Sequence, residues 1–494
     1  MKQLKVSGQL NTEHVKKLIK AFYRNDTIVA FDEENVSNTI KRKLANQDID
    51  SVISVVADDG FISIYIHDSM GKCLFEKKES INDCSLANVE KFIYYAMCEY
   101  RGFELGWGTM TGVHPVRPVY FNVCSTTKES DREHFLKEYQ ARYLISDKKL
   151  KLTGEVARNE MRSLAGYDYK DRYSLYVGIP FCPTTCIYCS FTSYSMEKYS
   201  DQIELYLNAL IKEIKIKAVN VAQMYGDKKS PLCVYIGGGT PTSLSAGQLD
   251  RLLGQIEESF DLTGTVEFCV EAGRPDTIDE QKLQVMKQHH VTRISVNPQT
   301  MNDKTLEIIG RRHSVEDIIR VYRMASDMGF DNINMDVIVG LPGEDELDAR
   351  RTIEQIVGLC PAGVTVHTLA IKRAAFMNTN QKIYDDIYYG KKDADADRMV
   401  DITYKALEEN GYLPYYLYRQ KNQAYVLENT GFAKKGKECL YNILTMEELG
   451  TVIALGAGAV SKYVEYGSKI NIRREDNAKG LRDYIKKMDK IAGC

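Results

Sequence analysis

The sequence predicts an α/β fold: a partial (β/α)6 barrel, with an α+β module before it and a mixed, mainly helical C-terminal region after it. Between residues 170 and 375, short apolar strands alternate six times with amphipathic helices. Such repeats favour a parallel sheet, and right-handed crossovers curl it toward a full or partial barrel. Polar or glycine-rich motifs follow several of these strands, whereas residues before 169 mix strand and helix patterns without the repeat.

Residues 1–168 are predicted to form an N-terminal α+β accessory domain. Three segments with strand character, Ser51–Ala57, Phe61–Asp68 and Lys72–Lys77, are joined by turn pairs at 59–60 and 70–71. This order predicts a small antiparallel meander. Helical periodicity occurs on either side of the meander, at Val15–Tyr23, Asn88–Tyr100, Asp131–Tyr143 and Gly154–Leu164.

The barrel domain is predicted to span residues 169–375. Its strands are expected at Ser174–Ile179, Leu232–Ile236, Thr265–Glu271, Arg293–Asn297, Asn332–Val339 and Gly363–Leu369. Its helices are expected at Ile203–Val219, Ala246–Glu258, Asp279–Gln288, Val315–Met328 and Glu346–Leu359. In such folds the chemistry gathers at the carboxyl ends of the strands.

Residues 376–494 are predicted to form a region that covers the substrate. A helix is expected at Asp395–Glu409, and a tyrosine-rich stretch follows at 412–418. This stretch is consistent with a substrate lid or with core packing. A charged terminal helix is expected at Leu481–Ile491.

The composition is that of a globular protein without a nucleic-acid partner. Of 494 residues, 44% are hydrophobic and 27% are charged, and the net charge of −3 argues against an extended basic surface. No run of about 18 apolar residues occurs, so no membrane span is expected. The N-terminus lacks the apolar core of a signal peptide, which predicts a cytoplasmic protein with reduced thiols.

The strongest chemical signal is a C-x3-C-x2-C loop directly after the first barrel strand, formed by Cys182, Cys186 and Cys189. Thiolates at this spacing can hold one iron–sulfur cluster. Three ligands leave one iron open to a further ligand, as in a catalytic metal site. Structural zinc is the main alternative, but it usually has four ligands, and no histidine or fourth cysteine lies nearby in the sequence. Three free thiols are the remaining alternative.

Two further motifs follow the second and third strands. Gly237–Thr242 is a glycine-rich turn that lets a ligand approach the backbone, although a plain strand-to-helix turn explains it equally well. It lacks the Gly-Lys-Ser/Thr ending of a phosphate-binding loop. Glu271 ends the third strand, where a carboxylate can accept hydrogen bonds from ribose hydroxyls or can simply be a surface charge.

The fourth and fifth strands carry further polar residues. Gln299 follows a strand and can both donate and accept hydrogen bonds, and Arg311 could pair with a carboxylate or face solvent. Asp336 lies inside an apolar strand, which is costly unless the charge is paired with a ligand or in a structural ion pair. Together the motifs predict one site, because each falls on a strand or at its exit.

These motifs resemble the radical S-adenosylmethionine (SAM) family of oxygen-independent coproporphyrinogen III oxidase. The resemblance is carried by the three cysteines, Gly237–Thr242, Arg293–Gln299 and Asp336–Pro342, and it covers residues 170–375 most strongly. Within that family, the sequence resembles the HemZ-type coproporphyrinogen dehydrogenase branch. It has an N-terminal region with a Trp-Gly-x-x-Thr-Gly segment, which is Trp107–Gly112 in this sequence.

The resemblance implies two cofactors and a set of site residues. Cys182, Cys186 and Cys189 would hold a [4Fe–4S] cluster. SAM would be bound by Tyr188 at the adenine, Gly238, Gly239 and Thr240 at the amino-acid end, Glu271 and Gln299 at the ribose, Arg311 at the carboxylate, and Asp336 alongside.

The implied reaction is reductive cleavage of SAM to methionine and a 5′-deoxyadenosyl radical, which takes hydrogen from a propionate of the porphyrinogen. Decarboxylation and loss of one electron would then leave a vinyl group. A low-potential donor such as flavodoxin or ferredoxin would supply the first electron. Basic residues are candidates for holding the other propionates: Arg274, Arg312, Lys372, Arg373 and Arg419.

One position departs from the oxidase pattern. The oxidases have a fourth cysteine two residues after the third, where this chain has Phe191, and haem-chaperone relatives also have an aromatic residue there. Two alternatives to coproporphyrinogen decarboxylation therefore stay open: haem binding or delivery, and another radical SAM reaction on a tetrapyrrole, such as methyl transfer or ring opening. Possible axial haem ligands are His67, His114, His134, His289, His290, His313 and His367.

Overall fold

A computed structural model describes residues 2–8, 10–23, 28–32, 49–58, 60–81, 85–189, 193–226, 229–369, 396–419, 427–467 and 469–492. These residues divide into two compact units. The first contains the described residues of Met1–Gly154 and Arg419–Leu427, and the second contains those of Glu155–Tyr418 and Glu428–Cys494. None of the described helices is long and apolar enough to cross a membrane.

The first unit contains a five-stranded sheet with the order β2-β1-β3-β4-β5. Its strands are β1 (Lys2–Ser7), β2 (Ile28–Asp32), β3 (Ser51–Asp58), β4 (Phe61–Asp68) and β5 (Cys73–Ser80). The antiparallel meander predicted from the sequence is confirmed in β3, β4 and β5. β1 and β2 extend it with parallel pairings, which the sequence analysis did not predict.

The helices of the N-terminal segment are α1 (Thr12–Phe22), α2 (Leu86–Arg101), α3 (Arg117–Ser125), α4 (Glu129–Tyr143) and α5 (Asp147–Leu164). α1 begins where the side chain of Asn11 accepts a hydrogen bond from the His14 amide at 3.0 Å. The buried faces of α1 and α2 join the inner face of the sheet in one apolar core, which includes Phe22, Ile53 and Ile64.

The second unit is built on six parallel strands in consecutive order. They are β6 (Tyr173–Ile179), β9 (Cys233–Gly238), β10 (Glu267–Gly273), β11 (Arg293–Val296), β12 (Ile333–Val339) and β13 (Gly363–Thr368). A short pair, β7 (Phe181–Cys182) and β8 (Tyr194–Ser195), follows β6. All six predicted strands are confirmed within two residues at each end, because their apolar runs are buried.

Helices connect the strands of this sheet, as the repeat predicted. They are α6 (Met196–Tyr199), α7 (Ile203–Tyr225), α8 (Ala246–Ser259), α9 (Glu280–Gln288), α10 (Asp303–Ile308), α11 (Val315–Asp327) and α12 (Glu346–Leu359). Capping boxes at Ser245, Ser314 and Asp345 fix where α8, α11 and α12 begin.

The C-terminal residues lengthen the sheet at both edges. Its elements are α13 (Ala396–Glu409), β14 (Leu413–Arg419), β15 (Glu428–Ala433), α14 (Leu440–Met446), β16 (Thr451–Leu455), β17 (Val460–Glu465), β18 (Asn471–Asp476) and α15 (Leu481–Ala492). β15 pairs antiparallel with β13, and β16 pairs parallel with β6. The sheet is an open, eleven-stranded partial barrel, and this region contains more strand than the mainly helical prediction allowed for.

One buried carboxylate ties the C-terminal elements to α7. Glu213 is 2% exposed and accepts hydrogen bonds from the Gly456 amide at 2.8 Å, from Asn477 Nδ2 at 2.7 Å and from the Tyr484 hydroxyl at 2.6 Å. These donors come from the turn after β16, the segment after β18, and α15. The carboxylate therefore holds three C-terminal segments together.

We expect Glu213→Ala to lower the free energy of unfolding by about 2–4 kcal/mol, because it leaves three donors without an acceptor in the core. Urea unfolding followed by circular dichroism measures this change. Glu204→Ala is the matched control, since Glu204 forms an exposed ion pair with Arg251 and should change stability by less than about 1 kcal/mol. Equal losses in the two variants would contradict the proposed role of Glu213.

Candidate functional site

The cysteine loop leaves the carboxyl end of β6 and is fixed on its far side by the turn after α10. The Ile187 amide donates to the carbonyl of Ile309 at 3.3 Å, and the Thr184 hydroxyl donates to the carbonyl of Gly310 at 3.3 Å. Cys186 is 8% exposed, and the other two cysteines of the motif are partly buried. The loop is therefore an ordered part of the sheet edge.

The thiol of Cys182 lies in a largely dehydrated environment. Burial, aided by the neighbouring thiols of Cys189 and Cys186, raises the pKa of Cys182 to about 11. The Thr240 hydroxyl donates to Cys182 Sγ at 3.4 Å. A bound metal favours deprotonation of this thiol, because metal ligands of this type are thiolates.

The donor set of the loop is three free cysteine thiols. Within the described ranges, no three Cys, His, Asp or Glu side chains are gathered closely enough to hold one metal ion. An iron–sulfur cluster is larger and is held by separate thiolates, so the three cysteines fit it.

The glycine turn after β9 packs directly on the cysteine loop. The Gly239 amide donates to the carbonyl of Ile179 at 2.8 Å, and the Thr240 amide donates to the carbonyl of Phe181 at 2.7 Å. A Cβ on Gly239 would lie 2.6 Å from the Phe181 oxygen and 3.1 Å from Cys182 Sγ. Gly238 has φ of +106°, a conformation that favours glycine. This turn tolerates no side chain beside the cluster loop.

Glu271, at the carboxyl end of β10, lies against the same turn. Its carboxylate accepts hydrogen bonds from the Tyr235 hydroxyl and from the Gly238 amide. Burial raises the pKa of Glu271 to about 7, and the charge of Asp336 contributes to the rise. A Cβ on Gly237 would lie 2.7 Å from Glu271 Oε2, so this glycine makes room for the carboxylate.

Gln299 and Asp336 are joined through their backbones. The Gln299 amide donates to the carbonyl of Asp336, and the Ile338 amide donates to the carbonyl of Gln299, both at 2.9 Å. Gln299 has φ of +69°, a strained conformation for a residue with a side chain and one that is common at functional sites. The Asp336 carboxylate accepts a hydrogen bond from Asn334 at 2.8 Å and lies 3.8 Å from His367 Nε2.

Tyr188 and Arg311 contact each other. Arg311 donates to the Tyr188 hydroxyl at 3.1 Å and to the carbonyl of Asn297 at 3.4 Å. Two buried polar atoms beside them, Arg311 Nε and Asn297 Oδ1, have no hydrogen-bond partner among the described residues. Unpaired buried donors and acceptors are costly, so this corner suits a polar ligand.

The basic residues suggested for binding propionates lie in different environments. Arg274 is 3% exposed and is held by Asp276, at 2.7 and 3.0 Å, and by Thr184, so this suggestion was wrong. Arg312 is exposed and pairs with Glu197 at 2.5 Å. Arg419 donates to backbone carbonyls of the first unit and packs on Trp107. Lys372, Arg373 and Phe191 lie outside the described residues.

The sequence analysis missed an aromatic stack beneath the glycine turn. The rings of Tyr176, Tyr235 and Tyr441 lie within 19° of parallel, and the Tyr235 and Tyr441 centroids are 4.4 Å apart. The sequence did contain a signal for it. Tyr176 and Tyr235 each precede a glycine by two residues, Gly178 and Gly237. Because side chains alternate between the two faces of a strand, each tyrosine lies on the same face as its glycine. The strand register pairs them as expected, tyrosine with tyrosine and glycine with glycine.

The sheet and its cysteine loop match a known class. A model of the radical SAM superfamily matches residues 176–356, which run from β6 to α12. The solved structure of coproporphyrinogen III oxidase (HemN) from Escherichia coli, a radical SAM enzyme, has a similar fold. Its TM-score is 0.52 at 23% identity, covering 67% of this chain and 72% of that one. The fold and the loop thus define a radical SAM core.

Two curated relatives specify the family. The chain is 38% identical over 382 residues to the oxygen-independent coproporphyrinogen-III oxidase-like protein HemZ of Bacillus subtilis, covering 76% of this chain and 74% of that one. It is 34% identical over 291 residues to the heme chaperone HemW of Bacillus subtilis, covering 58% and 70%. The chain belongs to the oxygen-independent coproporphyrinogen-III oxidase-like family of the radical SAM superfamily. Membership implies a [4Fe–4S] cluster and SAM as cofactors.

We expect Gly239→Ala to prevent stable cluster assembly, because the added methyl group collides with backbone oxygens of the cysteine loop. Iron and sulfide analysis after anaerobic reconstitution measures the effect, and we expect less than about a third of the wild-type iron content. Gly247→Ala is the matched control, since a Cβ there meets nothing within 4 Å. Normal iron content in Gly239→Ala would show that the contact is not needed.

Proposed function

We propose that this chain is a radical SAM enzyme that decarboxylates two propionate side chains of coproporphyrinogen III to vinyl groups without oxygen, giving protoporphyrinogen IX in haem biosynthesis. The observation that carries this proposal is the similarity to HemZ over three quarters of both chains, which includes the whole described site. HemZ is named an oxygen-independent coproporphyrinogen-III oxidase-like protein. The likeness to the HemN structure supports the fold alone.

In this proposal Cys182, Cys186 and Cys189 hold the cluster. When bound, the cluster and SAM supply a strongly reducing electron and a carbon radical able to remove hydrogen from an unactivated carbon. The protein's own contribution is placement and exclusion of water. Burial of the thiols and the hydrogen bond from Thr240 to Cys182 support that contribution.

The SAM contacts are proposed for residues along the same edge of the sheet. Gly238, Gly239 and Thr240 would meet the amino-acid end of SAM, with Arg311 at its carboxylate. The unpaired Nε of Arg311 supports this role, since a guanidinium suits a carboxylate. Tyr188 would pack on the adenine while its hydroxyl remains on Arg311.

The remaining contacts concern the ribose region. Glu271 and Gln299 would accept hydrogen bonds from its hydroxyls, with Asp336 beside them. The carboxylate at the exit of β10 and the strained backbone of Gln299 support these roles.

The substrate and electron donor complete the proposal. A tetrapyrrole with several propionates requires basic groups, and Arg312 remains a candidate because its side chain is 65% exposed. A low-potential flavodoxin or ferredoxin would provide the electron that SAM cleavage requires.

Haem delivery is the second candidate function. The identity of 34% to the heme chaperone HemW over 291 residues favours it, as does Phe191 at the position of the oxidases' fourth cysteine. Both candidate functions involve a tetrapyrrole. They differ in the outcome: the decarboxylase converts its tetrapyrrole to a product, whereas the delivery protein binds haem stoichiometrically without changing it.

We expect Cys182→Ala, Cys186→Ala and Cys189→Ala each to lose most of the reconstituted iron, because two thiolates cannot hold a [4Fe–4S] cluster stably. Iron analysis and the electron paramagnetic resonance signal of the reduced cluster measure this loss. Cys73→Ala is the control, since Cys73 is exposed and lies outside the motif. A normal cluster in all three single variants would reject the assignment.

We expect anaerobic, cluster-loaded protein with SAM and a reductant to release 5′-deoxyadenosine faster when coproporphyrinogen III is added, and to form protoporphyrinogen IX. Mass spectrometry of the tetrapyrrole identifies the product. Stoichiometric haem binding without any product would favour haem delivery instead. A product of altered mass other than the decarboxylated one would assign another radical SAM reaction on tetrapyrroles.

A further inference from the structure

A hydrogen bond links the aromatic stack to the proposed SAM site. Tyr235, on β9, donates its hydroxyl hydrogen bond to Glu271, on β10. Tyr235 pairs in register with Cys269, and Glu271 follows two residues later on the same face of the sheet. The tyrosine side chain therefore reaches along the inner face toward the carboxyl edge and ends on the carboxylate.

The ring of Tyr235 is itself held from the C-terminal region. Tyr441, on α14, stacks on Tyr235 with centroids 4.4 Å apart and an angle of 19° between the rings. Tyr176, on β6, lies 6.4 Å from both rings and nearly parallel to them. Tyr441 therefore covers one face of the Tyr235 ring and restricts its rotation, and Tyr176 lies beside the stacked pair, equally far from both rings.

α14 is fixed in turn by a buried carboxylate of β10. Glu267, 6% exposed, accepts hydrogen bonds from the Leu440 amide at 3.1 Å, the Tyr441 amide at 3.2 Å and Cys439 Sγ at 3.2 Å. A carboxylate at the N-terminus of a helix satisfies amides that have no partner within the helix. Glu267 lies four residues before Glu271, on the same face of β10.

These contacts begin and end on β10. Glu267 of β10 caps α14, which carries Tyr441. Tyr441 packs on Tyr235, and Tyr235 donates a hydrogen bond to Glu271 of β10. We propose that Tyr235, braced by Tyr441, is a positioning residue that orients the Glu271 carboxylate for the ribose hydroxyls of SAM. The inference rests on the proposed role of Glu271 in binding SAM. It adds two residues, Tyr235 and Tyr441, to those proposed to contact SAM directly.

The charges around Glu271 explain why it needs such support. Burial raises its pKa to about 7, Asp336 on β12 adds to the rise, and His367 on β13 and the Gly238 amide oppose it. The hydrogen bond from Tyr235 also favours the charged form. Loss of that bond raises the pKa further, so a larger fraction of Glu271 is protonated at pH 7 and cannot accept a hydrogen bond at the protonated oxygen.

The test is the dissociation constant of SAM, measured by anaerobic equilibrium dialysis with cluster-loaded protein between pH 6.5 and 8.5. We expect Tyr235→Phe to weaken binding about tenfold at pH 7 and only about two- to threefold at pH 8.5, where Glu271 is ionised in both proteins. Tyr412→Phe, which removes a 2.7 Å hydrogen bond to Pro361 in another part of the sheet, is the control. A loss that does not vary with pH indicates a merely structural role and overturns the proposal.

Two further comparisons separate the failure of this inference from that of the proposed SAM site. Tyr441→Phe keeps the stacked ring and should bind SAM normally, whereas Tyr441→Ala should reproduce the effect of Tyr235→Phe with unchanged iron content. In a Glu271→Ala background, where the Tyr235 hydroxyl has no acceptor at this position, Tyr235→Phe should have no further effect on binding. Normal SAM binding by Glu271→Ala overturns both proposals. Weak binding by Glu271→Ala with normal binding by Tyr235→Phe overturns only this one.

Discussion

The register of β6 against β9 is the constraint on which the rest of the site depends. Gly178 pairs with Gly237 and Ile179 with Gly238, and two more hydrogen bonds carry the pairing past the strands, into the cysteine loop. The glycine turn and the cluster loop are therefore one continuous backbone structure. A slip of one residue would turn every side chain of β9 to the opposite face, and Tyr235 would leave Glu271.

The parallel order of the strands then brings the remaining groups to the same edge. Glu271 lies on β10, Gln299 follows β11 and Asp336 lies on β12. Backbone hydrogen bonds join Gln299 to Asp336, and the charge of Asp336 acts on Glu271. The inner face of the sheet is unusually polar for a core, since Glu267, Arg293 and Glu271 all lie on it. Glu267 accepts hydrogen bonds from the Leu440 and Tyr441 amides, Arg293 donates to the Lys437 carbonyl, and Glu271 accepts from Tyr235 and Gly238, as buried polar groups require.

The barrel could be predicted from the sequence because its strands are continuous apolar runs and its helices carry clear caps and periodicity. The cysteine motif was equally plain, since its spacing is local. β1 and β2 were missed because they stand outside the strand–helix repeat that identified the barrel strands and outside the turn-linked meander of β3, β4 and β5. The ion pair between Arg274 and Asp276 could not be predicted either. The sequence around a basic residue at a strand exit does not show whether it binds a ligand or a neighbouring carboxylate.

The aromatic stack shows a different limit. Tyr176 and Tyr235 could have been placed on one face from alternation alone, but Tyr441 comes from a short helix more than 200 residues later. Only the tertiary structure unites them. Local rules assign a residue to a face, whereas they do not say which distant element covers that face.

The pairing of β16 with β6 has a consequence for how the protein is made. The strand that leads into the cysteine loop obtains its second neighbour only from residues 451–455. A ribosome-bound chain that has not yet produced those residues leaves one edge of β6 unpaired. Biogenesis thus favours delivery of iron and sulfide after residues 451–455 have been made, because only then is the strand before the thiols paired on both sides.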